Sequence, residues 1–282
     1  MNVLEVQGLT KRYPAFTLNG VSFAVPEGAV MGFIGRNGAG KSTTLKSILG
    51  MVHPDGGAVR VFGMDYRENE RAIRRELGVV LGGIDFYPKK KIRVITDVTR
   101  RFYDNWDQGK YDHYAELFAI DPEKRVDQLS SGMKVKYMIA LALSHNARLL
   151  LLDEPTSGLD PVSRDELTEL LGRIVADGTR SVLFSTHITS DLEKCADDIT
   201  YIQKGEILAT GPIGEFQQSY RLIRRQGGLT AEQQAAVLGR CREKAGDTLL
   251  IRRERTPLFE GLPVEEPTLE EIMVHLEKEG EA

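Results

Sequence analysis

Along the first third of the chain, short apolar runs alternate with polar positions and are broken by turn residues. Val3–Val6, Thr17–Val25 and Val30–Ile34 read as strands, with Pro26-Glu27-Gly28 turning the chain between the last two. Gly57–Gly63 is a further short strand bounded by glycines. Lys41–Leu49 has the apolar spacing of a helix, and Glu68–Leu77 that of another, strongly charged on one face. From about Gly82 to His145 the pattern becomes mostly helical, with predicted helices at Val94–Trp106, Tyr111–Phe118 and Ser130–His145 and a turn at Asp121-Pro122. Strands then return. Leu149–Asp153 and Ser181–Thr186 are continuous apolar runs, as expected of parallel strands covered on both faces. The helix between them, Pro161–Asp177, carries proline in its first turn and Gly178 just past its end. Ile199–Gln203 and Glu206–Ala209, joined at Lys204-Gly205, form a predicted hairpin.

After Gly214 the composition is more polar. A strand near Arg221–Arg225, a helix near Ala231–Glu243, a strand at Thr248–Arg252 and a final helix at Thr268–Glu277 are expected, with Pro257, Pro263 and Pro267 marking the loop before that helix. The pattern predicts an α/β fold with a mainly parallel sheet over residues 1–214, interrupted by a helical subdomain at about 82–145. A small α+β extension over 215–282 follows it.

Length and charge narrow the function classes. A chain of 282 residues has room for one large α/β domain and a small appendage. Its net charge of −4 argues against a general nucleic-acid binder, and no nucleic-acid partner is expected. Arg221, Arg224 and Arg225 are the nearest thing to a basic patch and read as a solvated face. Cys195 and Cys241 stand far apart with no metal-ligand spacing, which argues against a disulfide framework or a zinc site and fits a reducing cytoplasm. Met1–Tyr13 is polar and alternating, unlike a secretory signal. The densest apolar run, Leu149–Leu152, is far short of the roughly 18–20 residues that span a bilayer. A role at a membrane would need another chain to supply the span.

Gly35-Arg36-Asn37-Gly38-Ala39-Gly40-Lys41-Ser42 matches the phosphate-binding pattern Gly-x4-Gly-Lys-Ser/Thr, with Thr43 continuing into the helix. Glycines let backbone N–H groups converge on phosphate oxygens where a Cβ would obstruct them. The helix that starts at the loop turns its unsatisfied N–H groups and its dipole toward the anion. In this arrangement Lys41 neutralises the β- and γ-phosphates of ATP, and the Ser42 hydroxyl binds Mg²⁺. A chance match in a chain of this length is on the order of one in a hundred. The alternative is a glycine-rich turn capping a helix; a preceding apolar strand and a following helix weigh against it.

Leu149-Leu150-Leu151-Leu152-Asp153-Glu154-Pro155 can supply the other half. A buried strand ending in Asp153 delivers a carboxylate to the metal, and Glu154 can polarise water toward the γ-phosphate. Pro155 cannot continue the ladder, so the strand stops where the carboxylates are needed. Alone, the segment could equally be a core strand ending in a solvated acidic pair. The upstream loop decides for the catalytic reading.

With these motifs the chain resembles the ATP-binding cassette family. Gln128-Leu129-Ser130-Ser131-Gly132-Met133-Lys134 is similar to the family's signature, Ser157-Gly158-Leu159-Asp160 to its D-loop, and Ser185-Thr186-His187 to its switch histidine. Tyr13 is similar to the aromatic that stacks on adenine. The order and spacing agree from Met1 to about Gly214. The resemblance implies a P-loop ATPase core, an antiparallel β subdomain and the inserted helical subdomain. It also implies a second ATP-binding subunit, homologous or identical, whose Ser130, Ser131, Gly132 and Asp160 complete the site of the first. His187 would contact the γ-phosphate or orient the attacking water with Glu154; without that context it would read as a satisfied loop histidine.

Two positions depart from the family pattern. Ser131 stands where glycine is usual, with Met133 where glutamine is common. The position that usually carries the Q-loop glutamine falls on Gly82, followed by Gly83, and neither can ligate through a side chain. A water or another residue, Asp85 being the nearest, fills that role, or coupling is altered.

Phe102-Tyr103-Asp104-Asn105-Trp106-Asp107, Gly132-Met133-Lys134 and Ser185–Leu192 together resemble one bacterial subgroup, the ATP-binding subunits of small exporters with a separate permease. Some of these are associated with peptide-antibiotic resistance, and Pro267–Ile272 is similar to their closing helix. The resemblance implies a cytoplasmic protein, peripheral on the inner face of the plasma membrane. Its integral membrane permease would dock beside Gly82–Pro88, with Phe86, Tyr87 and Trp106 as apolar contacts or as helical-subdomain core. A soluble regulatory ATPase of the same family, acting on DNA or the ribosome, is the alternative. A single cassette, no long heptad insertion and no basic stripe count against it. A kinase would have no use for Leu129–Met133.

Overall fold

The structure is a computed structural model that describes residues 1–81, 87–225, 227–243 and 246–279. The chain divides into two compact units, Met1–Thr210 and Gly211–Ala282.

The first unit opens with β1 (Asn2–Tyr13) and β2 (Phe16–Pro26), which pair antiparallel and return the chain to β3 (Val30–Ile34). All five residues of β3 are buried, as its unbroken apolar run requires of a central strand. Helix α1 (Lys41–Ile48) follows, then β4 (Gly56–Val61), β5 (Met64–Asp65), α2 (Tyr66–Arg75) and β6 (Leu77–Val80). A helical segment comes next: α3 (Ile92–Thr99), α4 (Gln108–Leu117) and α5 (Ser131–Ser144). Then β7 (Leu149–Asp153), α6 (Pro161–Val175), β8 (Ser181–Thr186), α7 (Thr189–Cys195), β9 (Asp198–Gln203) and β10 (Glu206–Pro212) close the unit.

Two sheets organise these elements. β2, β1, β4 and β5 lie side by side in that order, antiparallel throughout. The six-stranded sheet runs β10-β9-β3-β8-β7-β6, with β3, β6, β7, β8 and β9 parallel. Both sheets share one apolar core that includes Leu4, Leu18, Phe33, Leu45, Leu151 and Ile202. The helical segment has its own core: Ile92, Ile95, Tyr111, Leu129 and Tyr137, with Trp106 packed against it.

Helix α3 stops at Thr99, short of the Val94–Trp106 helix expected from periodicity, and one 3₁₀ turn over Arg100–Phe102 follows it. The chain is held open beyond that point. The Tyr103 ring stacks on His145 at 3.8 Å, Asn105 donates to the His145 carbonyl at 2.6 Å, and Asp107 caps α4. Residues Gly82 to Phe86, which hold the Q-loop position and the candidates Asp85 and Phe86, lie outside the described residues.

The second unit contains α8 (Ile213–Gln218), β11 (Tyr220–Arg225), α9 (Ala231–Ala236), β12 (Val237–Glu243), β13 (Gly246–Arg252), β14 (Val264–Glu265) and α10 (Leu269–Glu279). Its boundary at residue 210 precedes the expected one at 214, which falls inside α8. The sheet order is β12-β13-β11-β14, all antiparallel. The expected helix Ala231–Glu243 is half strand. Thr230 and Gln233 form a capping box that starts α9, but from Val237 the backbone pairs with β13. At Gly239 a Cβ would sit 2.2 Å from the His275 carbonyl oxygen, so α10 crosses where only glycine fits.

Candidate functional site

Strand β3 ends at Ile34, and the next six residues turn the chain through a loop into α1. At Gly35 a Cβ would lie 2.4 Å from the Ile202 carbonyl oxygen of β9, so the loop can leave the sheet there only through glycine. Gly40 has φ 118°, a conformation that side chains rarely adopt, and it starts α1 with no side-chain cap. The α1 N-terminus therefore leaves amide N–H groups directed into the loop, where an anion can satisfy them. Arg36, Asn37 and Gly38 form the exposed tip, Ala39 is buried, and Ser42 and Thr43 are half-buried in the first turn.

Lys41 is buried, and its ammonium is held from three sides. It donates to the Gly35 carbonyl at 2.6 Å and the Arg36 carbonyl at 3.3 Å, and pairs with Glu154 Oε1 at 3.0 Å. A buried ammonium requires such partners.

The carboxylates come from the end of β7. Asp153 is buried and accepts a 2.6 Å hydrogen bond from the Ser185 hydroxyl of β8, the residue opposite it in the parallel register. Glu154 has φ 51°, the left-handed region uncommon for non-glycine residues. Its N–H is held by the Ser185 carbonyl at 3.1 Å and the Ser185 hydroxyl at 3.0 Å. One serine thus stabilises the backbone reversal at Glu154 and orients the carboxylate of Asp153. The Glu154 Oε2 atom lies 2.8 Å from His187 Nδ1, just past the end of β8. Lys41, Glu154 and His187 form a continuous chain of polar contacts.

The sequence assigns Ser185 no role of its own, because its action depends on the β7–β8 register. Asp191, four residues past His187 on α7, enters the sequence reading only within the Ser185–Leu192 resemblance and with no role of its own. It is buried, and desolvation raises its carboxyl above the usual range; the Arg164 guanidinium, 3.9 Å away, opposes that rise.

Tyr13 ends β1, paired with Phe16 across the turn, and is partly exposed with the Lys11 ammonium 5.8 Å from its ring. The Phe16 ring reaches the phosphate loop: a Cβ on Gly40 would be 3.0 Å from its edge. The hairpin tip that carries Tyr13 therefore lies beside the loop.

The signature residues stand at the head of α5. Ser130 is its cap, its hydroxyl accepting from Met133 N at 3.2 Å, and both Ser130 and Ser131 are exposed. Gly132 is buried against Leu159 and Ser163, which a Cβ there would meet at 3.5 and 3.6 Å. Asp160 caps α6, accepting from the Val162 and Ser163 N–H groups and from the Ser163 hydroxyl. Those bonds, led by the Ser163 hydroxyl, hold its carboxyl below the usual range. The signature turn and the D-loop thus pack together within one chain.

A phosphate loop, a buried lysine and a strand-end carboxylate pair define a nucleotide-hydrolysing P-loop protein. The profile of the ABC transporter family matches residues 18–157. The bacitracin transport ATP-binding protein BcrA of Bacillus licheniformis is 31% identical over 222 residues, covering 78% of this chain and 72% of that protein. The Nod factor export ATP-binding protein I of Burkholderia orbicola (strain AU 1054) is 34% identical over 214 residues, covering 74% of this chain and 70% of that one. A solved ATP-binding subunit of an ABC transporter superposes with a TM-score of 0.69 at 28% identity, covering 77% of this chain and 92% of the other. The chain belongs to the ABC transporter family as one of its ATP-binding, ATP-hydrolysing subunits.

Proposed function

We propose that this subunit energises export through an integral membrane permease carried on a separate chain, working with a second ATP-binding subunit at the inner face of the plasma membrane. The observation that carries the reading is the exposed head of α5. Ser130 and Ser131 present hydroxyls and a helix N-terminus to the outside, where the γ-phosphate held by another copy can dock. The two relatives are named for bacitracin transport and Nod factor export, and a solved cassette of the same fold is described as a dimer bound to ADP and Pi. Among the described residues no helix is long and apolar enough to cross a membrane.

On this reading Lys41 exchanges its carbonyl and Glu154 partners for the β- and γ-phosphates. Glu154, released from Lys41, takes a proton from the attacking water at its carboxylate. His187 holds the γ-phosphate or that water, and Tyr13 stacks on the adenine. The hydroxyl of Ser42 and the carboxylate of Asp153 are the hard oxygen donors that Mg²⁺ takes. Among the described residues no group of three His, Cys, Asp or Glu side chains could hold a metal. The residues fit Mg²⁺ as part of a site whose other ligands are nucleotide oxygens and water; the ion would neutralise charge developing on the phosphates. The cassette corresponds to the first unit and the second unit is an appendage to it.

Purification from membranes tests the reading. The chain is expected to bring down a multi-spanning protein, and Glu154→Gln with ATP is expected to run as a dimer on sizing. A soluble ribosome- or DNA-bound pool with no membrane partner would overturn the transporter reading. A Glu154→Gln monomer in ATP would overturn the shared site.

A further inference from the structure

His187 stands just before α7 and Asp160 caps α6, and these two helices pack against one another. At the rim of their contact Lys194 of α7 pairs with Asp165 of α6 at 2.5 Å, with both side chains more than half exposed. A pair so open to water holds the helices together only weakly. Inside the contact stands Asp191 of α7, which is 1% exposed, with its carboxylate 3.9 Å from Arg164 Nε of α6. Thr156, fully buried between Pro155 and the D-loop, also bears on that carboxylate.

The cluster is only half made. The Thr156 hydroxyl, Arg164 Nε and Asp191 Oδ2 are all buried, and none of them has a hydrogen-bond partner among the described residues. Hydrogen bonds left unmade inside a protein are costly, most of all at a charged group. Burial raises the Asp191 carboxyl, and Thr156, Arg164, Lys194 and His187 oppose the rise in that order. Three polar atoms left open at one spot fit a second arrangement of the two helices. Moving Asp191 about 1 Å toward Arg164 would reach the length of a charge-assisted hydrogen bond.

The backbone ties of the cluster give such a shift its consequence. Arg164 donates its N–H to the Asp160 carbonyl at 3.0 Å, so it is fixed to the D-loop. The Thr156 carbonyl accepts from Leu159 N at 3.2 Å within that loop, and Ser157 N donates to the Glu154 carbonyl at 3.1 Å. At the other end Asp191 N donates to the Ile188 carbonyl at 3.3 Å, next to His187.

We infer that Asp191 is a positioning residue for ATP hydrolysis: through Arg164 and Thr156 it fixes where His187 stands relative to the D-loop and Glu154. The inference rests on the role proposed for His187, so His187→Ala is measured beside it.

The test is steady-state phosphate release by the purified full chain over a range of ATP concentrations, with melting temperatures taken on the same proteins. Asp191→Asn keeps the size of the side chain and removes the charge that draws Arg164. Its kcat is expected to fall about tenfold or more with KM for ATP changed less than about twofold, since 1 Å of misplacement can cost about a hundredfold. Arg164→Gln, on the half-exposed side of the pair, is expected to give the same fall and decides the matter if Asp191→Asn does not fold. The double variant is expected to lose no more than either single one. Asp191→Glu, long enough to span the gap, is expected to recover most of the kcat. Wild-type kcat in Arg164→Gln, multiplicative losses in the double variant, or an Asp191→Glu as slow as Asp191→Asn would overturn the inference. A slow His187→Ala beside an unimpaired Asp191→Asn would overturn it alone, whereas wild-type turnover in His187→Ala would overturn the reading beneath it as well.

Discussion

Lys41 and Ser130 each stand at the head of a helix, yet the two helices begin in opposite ways. Helix α1 has no side-chain cap, and the ammonium beside its first turn is buried and held by two loop carbonyls and Glu154. Helix α5 is capped by the Ser130 hydroxyl and starts at an exposed surface. The first arrangement leaves helix N–H groups for a ligand, and its buried charge is satisfied by groups that the ligand must displace. The second is stable without a ligand. It can therefore be offered ready-made to a phosphate held elsewhere, with little reorganisation. On the proposed reading, the end that would grip ATP has partners to exchange, whereas the end that would present the signature is already set.

The largest effect should come from the poised end. Lys41→Ala removes the charge around which the loop carbonyls and Glu154 are arranged. ATP turnover is expected to fall by about a hundredfold or more, with loss of nucleotide binding. Phosphate release and nucleotide titration measure it, and wild-type turnover would break the comparison.

An intermediate effect lies at the far end of α5, where His145 is the C-cap residue. Burial lowers its pKa from 6.5 to about 4. Because the folded value lies below the unfolded one, unfolding takes up a proton between them. The stabilisation is complete above about pH 6.5 and lost as pH falls toward 4, about 2 kcal/mol of it by pH 5. Denaturant midpoints at pH 7.5 and 5 should separate more for wild type than for His145→Gln. Equal pH dependence would show that His145 is not the titrating group.

The smallest effects belong to the set end. Ser130→Ala should cost about 1 kcal/mol of stability through the lost cap. Gly132→Ala should cost less, since its Cβ would make ordinary contacts with Leu159 and Ser163. A Gly132→Ala protein that is stable but slow in ATP turnover would sharpen the comparison, separating presentation of the signature from folding of α5.

The chain's own order was enough for the features that depend on neighbours in sequence. Gly35–Ser42, Asp153-Glu154 and Ser130–Met133 were legible because phosphate binding and helix capping need particular residues at short spacing. Continuous apolar runs likewise identified β3, β7 and β8, since a strand covered on both faces has no polar side to present. Periodicity was weakest where a remote contact decided the backbone. The helix read over Ala231–Glu243 gives way at Val237 because β13 offers an edge to pair with, and α10 passes too close to Gly239 for any side chain.

Inside the site the division is the same. The sequence named Lys41, Glu154 and His187, but not the Ser185 that holds the Asp153 carboxylate and the Glu154 N–H, nor the Lys41–Glu154 pair that links loop to strand end. Asp153 faces Ser185 only because β7 and β8 lie parallel in one register. Such pairings join residues far apart in the chain, Asp153 with Ser185 and Lys41 with Glu154. Local spacing chose the candidate groups, and the packing of strands decided how they are held.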